Sequence, residues 1–322
     1  MKYIFIIIML FGATVLSSAQ QQSSTDSLRN QMMNMRRMQA SKSKTYRDLL
    51  QAMANPDSVY RLDLGRKNLT EFPPEIVKFT NLEVLMLDNN NLTKVPASIS
   101  SLSNLKQLSM RYNELEHIPP VICTMKQLEM VDLSNNKITA IPPEISKLEM
   151  LEHLRLSDNL ITSIPVELAK NRKLLNLNLE NNQITLIPPA ILKMEELSQI
   201  ELTNNLIETV PPEIEGLKNL RSLQLGKNKL KTLPNELGNL TKLERIELKE
   251  NQLLRVPSTF GNLVALRTLD LAGNPLVDLP ISELAKIPNL RSLLINNGVK
   301  EQRSPIQVKQ TPEINKEGIK PK

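Results

Sequence analysis

The sequence predicts an α/β solenoid, a curved stack of short repeats in which one strand from each repeat joins a single parallel β-sheet. Leucine recurs every 23 residues over most of the chain, and an asparagine and a proline recur with the same period. A fixed period of this length is typical of repeat architectures. The composition agrees, because 21 Pro are too many for long helices and nine Gly are too few for a turn-rich β-sandwich.

The first segment of the chain has the pattern of a signal peptide. Lys2 gives a positive start, residues 3–16 are mostly apolar, and small residues at 17–19 precede Gln20. The alternative is a membrane anchor, but the apolar run is shorter than the roughly 20 residues that a helix needs to span a bilayer. We therefore expect cleavage near Ala19 and a mature chain without a membrane span. Such a chain would be secreted, periplasmic or associated with the cell surface.

Two segments separate the signal peptide from the repeats. Residues 20–44 are rich in Gln, Ser and Met and are predicted to be a flexible linker, with an adaptable Met-rich contact segment as the alternative. Residues 45–58 are predicted to form an N-terminal capping helix. Thr45 and Asp48 have the spacing of a capping box, and Asn55-Pro56 ends the pattern. Apolar residues at helical spacing predict that the helix runs from Tyr46 to Ala54. These residues are Tyr46, Leu49, Leu50 and Met53.

The repeats occupy residues 59–298. Ten units run from Val59 to Asn289, of which nine have 23 residues and the tenth has one more. A partial eleventh unit begins at Leu290. The leucines that mark the period are Leu82, Leu105, Leu128, Leu151, Leu174, Leu197, Leu220, Leu243 and Leu266.

Each recurring position has a physical reason. Leu128, Val131 and Leu133 alternate as the buried face of a short strand would. The side-chain amide of Asn136 can donate to and accept from loop backbone that would otherwise stay unpaired. The predicted asparagine ladder is Asn90, Asn113, Asn136, Asn159, Asn182, Asn205, Asn228, Asn251 and Asn274. The recurring proline, such as Pro142, fixes φ and predicts short helical, 3₁₀ or extended turns on the outer side.

The sequence pattern of these units resembles the leucine-rich repeat, in the 23-residue form shared by Ras-binding and Scribble-type proteins and by many secreted bacterial proteins. The resemblance covers residues 59–298. It implies a right-handed horseshoe whose parallel β-sheet lines the concave side. It also implies a scaffold for protein recognition. Ras binding is implied only by the cytosolic relatives and conflicts with the signal peptide.

The charge of the chain lies mainly outside the repeats. The formal net charge is +6, yet residues 59–298 hold 27 Lys or Arg against 28 Asp or Glu. The excess belongs to the N-terminal segments and to residues 299–322, which contain three Pro and are predicted to be a disordered basic tail. Nucleic acid is therefore not an expected partner, since it requires a basic surface.

The sequence contains no catalytic pattern. One Cys excludes a disulfide framework, and two His that share no recurrent position make a metal centre implausible. Glu129, Asp132 and Glu152 converge on the inner face, where an open sheet would leave them solvated. We predict a chain that is not an enzyme and has no cofactor and no metal, with a hydrolytic enzyme as the alternative of another class.

The predicted binding site lies on the concave face in the second to fifth repeats. Val84, Met86 and Met130 interrupt an otherwise polar face, and an apolar cluster ringed by charge is favoured at protein hot spots. The alternative is that isolated Met and Val residues on a solvent-facing sheet are common and have no role in binding. The candidate contact residues are Val84, Met86, Arg111, Tyr112, Met130, Asp132, His153 and Arg155.

We therefore predict a secreted, non-catalytic scaffold that binds a protein through its concave face. The alternative is a polysaccharide- or cell-surface-binding module, because the face from Asn176 to Thr203 is largely Asn, Gln, Ser, Thr and Glu. Nothing in the sequence indicates an oligomeric state.

Overall fold

The structure, a computed structural model, describes residues 44–296 and 308–311. Within them, thirteen parallel strands form one sheet in the order of the sequence, so the predicted right-handed solenoid with a concave parallel sheet is confirmed. The strands are β1 Thr45–Tyr46, β2 Arg61–Asp63, β3 Val84–Met86, β4 Gln107–Ser109, β5 Met130–Asp132, β6 His153–Arg155, β7 Asn176–Asn178, β8 Gln199–Glu201, β9 Ser222–Gln224, β10 Arg245–Glu247, β11 Thr268–Asp270, β12 Ser292–Asn296 and β13 Val308–Thr311.

The convex side carries short 3₁₀ helices, most of which begin directly after the recurring proline. Pro142, for example, is the N-cap of Pro143–Lys147, with a φ of −72° that the ring enforces. The 3₁₀ helices are Pro56–Ser58, Pro74–Lys78, Ala97–Ser101, Ile122–Thr124, Pro143–Lys147, Val166–Lys170, Ile191–Lys193, Pro212–Gly216, Asn235–Asn239 and Ser258–Asn262. No described helix has both the length and the apolar character needed to cross a membrane.

The core is a continuous stack of leucine and isoleucine between the sheet and these turns. Leu128, Val131 and Leu133 are fully buried, as are their equivalents in most other repeats. A single repeat has nothing to pack against on its own, so neighbouring repeats provide the burial.

The nine recurring asparagines hold the turn that follows each strand. Asn136 donates from Nδ2 to the carbonyl oxygens of Met110 and Leu133, both at 3.0 Å, and its Oδ1 accepts from the backbone N–H of Leu115 at 3.0 Å. Each of the other eight donates to two or more backbone carbonyls and accepts at least one backbone N–H. These hydrogen bonds join each repeat to the preceding one, in the turn that follows the strand.

The N-terminal cap differs from the predicted helix. Thr45–Tyr46 is a strand paired with β2, and the helix, α1, spans only Leu49–Met53. Its N-cap is Asp48, whose Oδ1 accepts from the N–H of Gln51 at 2.8 Å, so the expected capping box at Thr45 was wrong. The edge of β2 offers unpaired backbone groups, so residues 45–46 pair with it as a strand and the helix begins only at Leu49. As a result, Leu50 is 83% exposed instead of packing on the core.

The C-terminal end also differs from prediction. The tenth repeat carries a short α-helix, α2 Ile281–Leu284, where the others have 3₁₀ turns. The tail was expected to be disordered, but residues 308–311 form β13, which pairs in parallel with β12. An unpaired edge strand is a template for another strand, which explains the pairing of this segment with β12.

Several predicted segments lie outside the described residues. They are the signal peptide at 1–19, the linker at 20–43, and the tail residues 297–307 and 312–322.

Candidate functional site

Strand register brings the candidate residues of β3 to β6 into two rows on the concave face. Met130 pairs with Gln107 on one side and His153 on the other, while Val84 pairs with Gln107. In the second row, Met86, Ser109, Asp132 and Arg155 follow one another across the same strands. Because adjacent strands are about 4.8 Å apart and the two methionines lie in different rows, their Cα atoms are roughly 12 Å from each other.

The apolar part of this surface is smaller than the sequence indicates. Val84 is only 7% exposed, whereas Met86 and Met130 are half-buried. In register, Val84 lies between Arg61 and Gln107, whose longer side chains flank it. Val84 therefore supports the surface, and the two methionines are the apolar groups that a partner can touch.

Asp132 has a different role from the contact residue that was expected. Its side chain is 6% exposed, and its Oδ2 lies 3.8 Å both from Nε of Arg111 and from Nη1 of Arg155. Its Oδ1 accepts from the N–H of Ser134 at 3.1 Å. The two arginine side chains remain 43% exposed. The buried carboxylate thus positions two guanidinium groups beside the methionines.

Tyr112 is an exposed aromatic residue at the edge of this surface. Its side chain is 47% exposed, and the Cζ of Arg111 lies 5.4 Å from the centre of its ring. Its φ of +52° lies in the left-handed region, which is unfavourable for an aromatic residue. The same position has positive φ in every repeat and is occupied by Arg66, Asn89, Tyr112, Asn135, Asp158, Asn181, Asn204, Lys227, Glu250 and Gly273.

This column is a feature that the sequence reading missed. Asn, Asp and Gly tolerate positive φ, and they fill six of the ten positions. A visible signal was the Asn-Asn pair before the turn in several repeats, as at Asn135-Asn136. A tyrosine at such a position costs conformational energy, which the fold imposes equally on Arg66, Lys227 and Glu250.

His153 completes the ring of candidates around Met130. It is half-buried, and within the described chain its buried Nδ1 has no hydrogen-bond partner. The buried Nε of Arg111 is likewise without a hydrogen bond, although it lies near Asp132.

The residues considered for catalysis are not assembled into an acid–base pair with a shared cleft. Glu129 lies 3.7 Å from Nζ of Lys106, and Asp132 is held by two arginines. Residues 44–296 hold no group of three or more His, Cys, Asp or Glu side chains that could bind a metal ion. Burial raises the pKa of the Cys123 thiol to about 11, so this buried thiol is not an activated nucleophile.

Comparisons with known proteins agree with this architecture. A leucine-rich repeat protein of Leptospira interrogans is 32% identical with a TM-score of 0.71, and the match covers 84% of this chain and 72% of that one. The plant peptide hormone receptor RGFR1, in complex with RGF2, is 25% identical with a TM-score of 0.62, covering 78% of this chain and 45% of that one. The functional domain of InlJ from Listeria monocytogenes is 24% identical with a TM-score of 0.64, covering 75% and 49%, and shows likeness of fold alone.

The chain spans less than half of the receptor and InlJ chains. No curated protein sequence matches it. Family models described as "Leucine rich repeat" match residues 57–115, the overlapping stretches 126–184, 172–230 and 195–253, and residues 265–287. Because these matches cover more than half of its residues, the chain belongs to the leucine-rich repeat family.

Proposed function

We propose that this protein is a secreted, non-catalytic scaffold that binds a protein ligand through the concave face. The observation that carries the proposal is Tyr112, an exposed aromatic residue on unfavourable backbone beside two half-buried methionines. Arg111 and Arg155 flank the methionines and are held by a buried carboxylate. Aromatic, Met and Arg side chains are enriched at the centres of protein interfaces.

Two further points support this proposal. The receptor RGFR1, which resembles this chain in fold, was solved in complex with RGF2, so a related solenoid takes a peptide hormone as its ligand. The strands of this chain also recur at 23-residue intervals with 3₁₀ turns behind them, as the class of Ras-binding and Scribble-like repeats would require. We assign the repeats to that class.

The binding site is tested by a triple variant, Met86→Ser, Tyr112→Asn and Met130→Ser. Asn is already present at four positions equivalent to Tyr112, so the turn should be retained. We expect proteins captured from the extracellular or envelope fraction by the wild type to be lost from the variant, with an unchanged melting temperature. The matched control replaces three exposed leucines away from the strands, Leu160, Leu186 and Leu206, by Ser. Equal capture by both variants would contradict the proposed site.

We also propose export after cleavage near Ala19. The support is the charge and apolar pattern of residues 1–19. Fractionation of the native source combined with N-terminal sequencing should give a mature chain that begins at or near Gln20. An intact N-terminus in the cytoplasm would overturn both the localisation and the class of partner.

Polysaccharide binding is the alternative, and it rests on the polar composition of the face from Asn176 to Thr203. Two amides of this face are engaged, since Asn178 and Gln199 donate to the carboxylate of Glu201. Each amide uses one N–H within the protein and keeps the other for a ligand. A glycan array on the full chain distinguishes the two, and specific retention of one glycan class would favour the alternative.

A further inference from the structure

A second part of the concave face, on β7 and β8, carries a carboxylate that is fixed in place. Nδ2 of Asn178 donates to Oε2 of Glu201, and Nε2 of Gln199 donates to its Oε1. Both oxygens of Glu201 are therefore held by amide donors, which fix the carboxylate in a single orientation.

Glu180 is joined to this carboxylate through Asn178, whose Oδ1 accepts from the N–H of Glu180 at 3.0 Å, and it adds a second negative charge. Burial raises the pKa of Glu180 above its ordinary value, and Glu201, Asp158 and Glu247 raise it further, against the opposing effect of Lys249. Glu247 has an ion pair with Lys249 at 2.8 Å. In contrast, Glu180 and Glu201 form no ion pair with any residue of 44–296. Within the described residues, neither carboxylate is therefore in direct contact with a cation.

Thr203 is an independent sign that a ligand belongs here. Its side chain is 6% exposed, and its Oγ1 has no hydrogen-bond partner within the described part of the chain. Thr203 occupies the position equivalent to Glu180, one 23-residue repeat later, so the two residues lie side by side just beyond the ends of β7 and β8. The equivalent Asp88 reaches a concave strand residue, accepting from Oγ of Ser109 at 2.6 Å.

The chemistry of these groups selects the kind of ligand. Residues 44–296 offer no cluster of three metal-binding side chains, so an inorganic ion lacks a ligand set. Asn178 and Gln199 each use one amide N–H on Glu201, so the negative charge of the carboxylates dominates this surface. Two carboxylates with an orphaned hydroxyl suit a group that is positively charged and donates several hydrogen bonds, as an ammonium or guanidinium group does.

We propose that Glu180, Glu201 and Thr203 form a docking point for a lysine or arginine side chain of the ligand. This inference rests on the proposed function, since it names a feature of the protein that the concave face binds. The ligand then spans two contacts on one face, an apolar one at Met86, Tyr112 and Met130 and a cationic one about two to three strands further along the solenoid.

The test measures the binding of a blocked hexalysine peptide to the full chain by calorimetry at low salt. We expect Glu180→Gln with Glu201→Gln to weaken binding by about tenfold, as the loss of two ion pairs would. Thr203→Val, which keeps the shape of the side chain, should also weaken binding. The matched control is Glu213→Gln with Glu215→Gln, which removes two exposed carboxylates from the convex turn Pro212–Gly216 and should leave binding unchanged.

Three results would overturn the docking point. One is equal binding by the acidic double variant and the convex control. Another is Thr203→Val binding like the wild type while gaining stability, since the hydroxyl would then be an idle buried group. The third is binding of calcium chloride that hexalysine does not displace. The acidic double variant can still capture natural partners while the triple variant of Met86, Tyr112 and Met130 does not. In that case this inference fails and the proposed function stands.

Discussion

At the scale of single residues, Glu180 illustrates a side chain that costs the free protein stability. Burial, followed by Glu201 and Asp158, raises its pKa, so the folded chain holds this proton more tightly than the unfolded chain. Below the ordinary pKa both states are protonated and Glu180 contributes nothing. As the pH rises through the raised native pKa, ionisation penalises the folded state.

Glu180→Gln should therefore raise the melting temperature at pH 7 to 8, and the gain should disappear as the pH falls toward 4. Thermal denaturation across this pH range measures it. The control with the opposite sign is Glu149→Gln, because the ion pair with Lys126 lowers the pKa of Glu149. Glu149→Gln should lose a little stability at neutral pH. A Glu180→Gln variant that is destabilised at pH 7 would contradict the electrostatic account.

Residue roles were predictable where one position repeats and not where the environment decides. The role of Asn136 follows from recurrence, because the same amide at every bend must satisfy the same backbone groups. Asp132 looked like a contact residue, since alternation says which face a side chain is on but not how deeply its neighbours cover it. The hydrogen bonds of Glu201 depend on the rotamers of Asn178 and Gln199, which no sequence pattern specifies.

At the scale of elements, the question at the N-terminal end is which residue is the N-cap of helix α1. The sequence favoured Thr45, whereas Asp48 accepts the hydrogen bond from the N–H of Gln51. Asp48→Ala should cost about 1 kcal/mol of local stability, as the loss of an N-cap usually does. Hydrogen exchange should speed up at Gln51 and Ala52. Thr45→Ala should leave both amides protected, and the reverse pattern would restore the capping box.

The same competition explains why element boundaries were harder to predict than element types. Tyr46 fits a helical pattern, yet as part of β1 it is buried, and its hydroxyl lies 3.0 Å from Oγ of Ser58. In the tenth repeat, one additional residue allows hydrogen bonds four residues apart, from Leu284 to Pro280 and from Ala285 to Ile281. The extra residue was visible in the sequence, and its conversion of a 3₁₀ turn into α2 follows from helix geometry.

At the scale of the whole molecule, stability is shared between neighbouring repeats because each core leucine packs against the repeats before and after it. The backbone is shared in the same way, since Asn136 ties its own repeat to the carbonyl of Met110 in the preceding one. Damage to one repeat should therefore spread to its neighbours and weaken with distance.

Leu133→Asp is the sharpest test, since it places a carboxylate at a fully buried position. We expect a loss of more than about 4 kcal/mol, the range reserved for unpaired buried charges. Hydrogen exchange should rise together in the repeats around Leu133, while the strands β10 and β11 keep their protection. Lys137→Ala, at an exposed position of the same turn, should leave the midpoint of thermal denaturation unchanged. Equal effects of the two substitutions, or exchange confined to the mutated repeat, would be incompatible with a solenoid whose repeats stabilise one another.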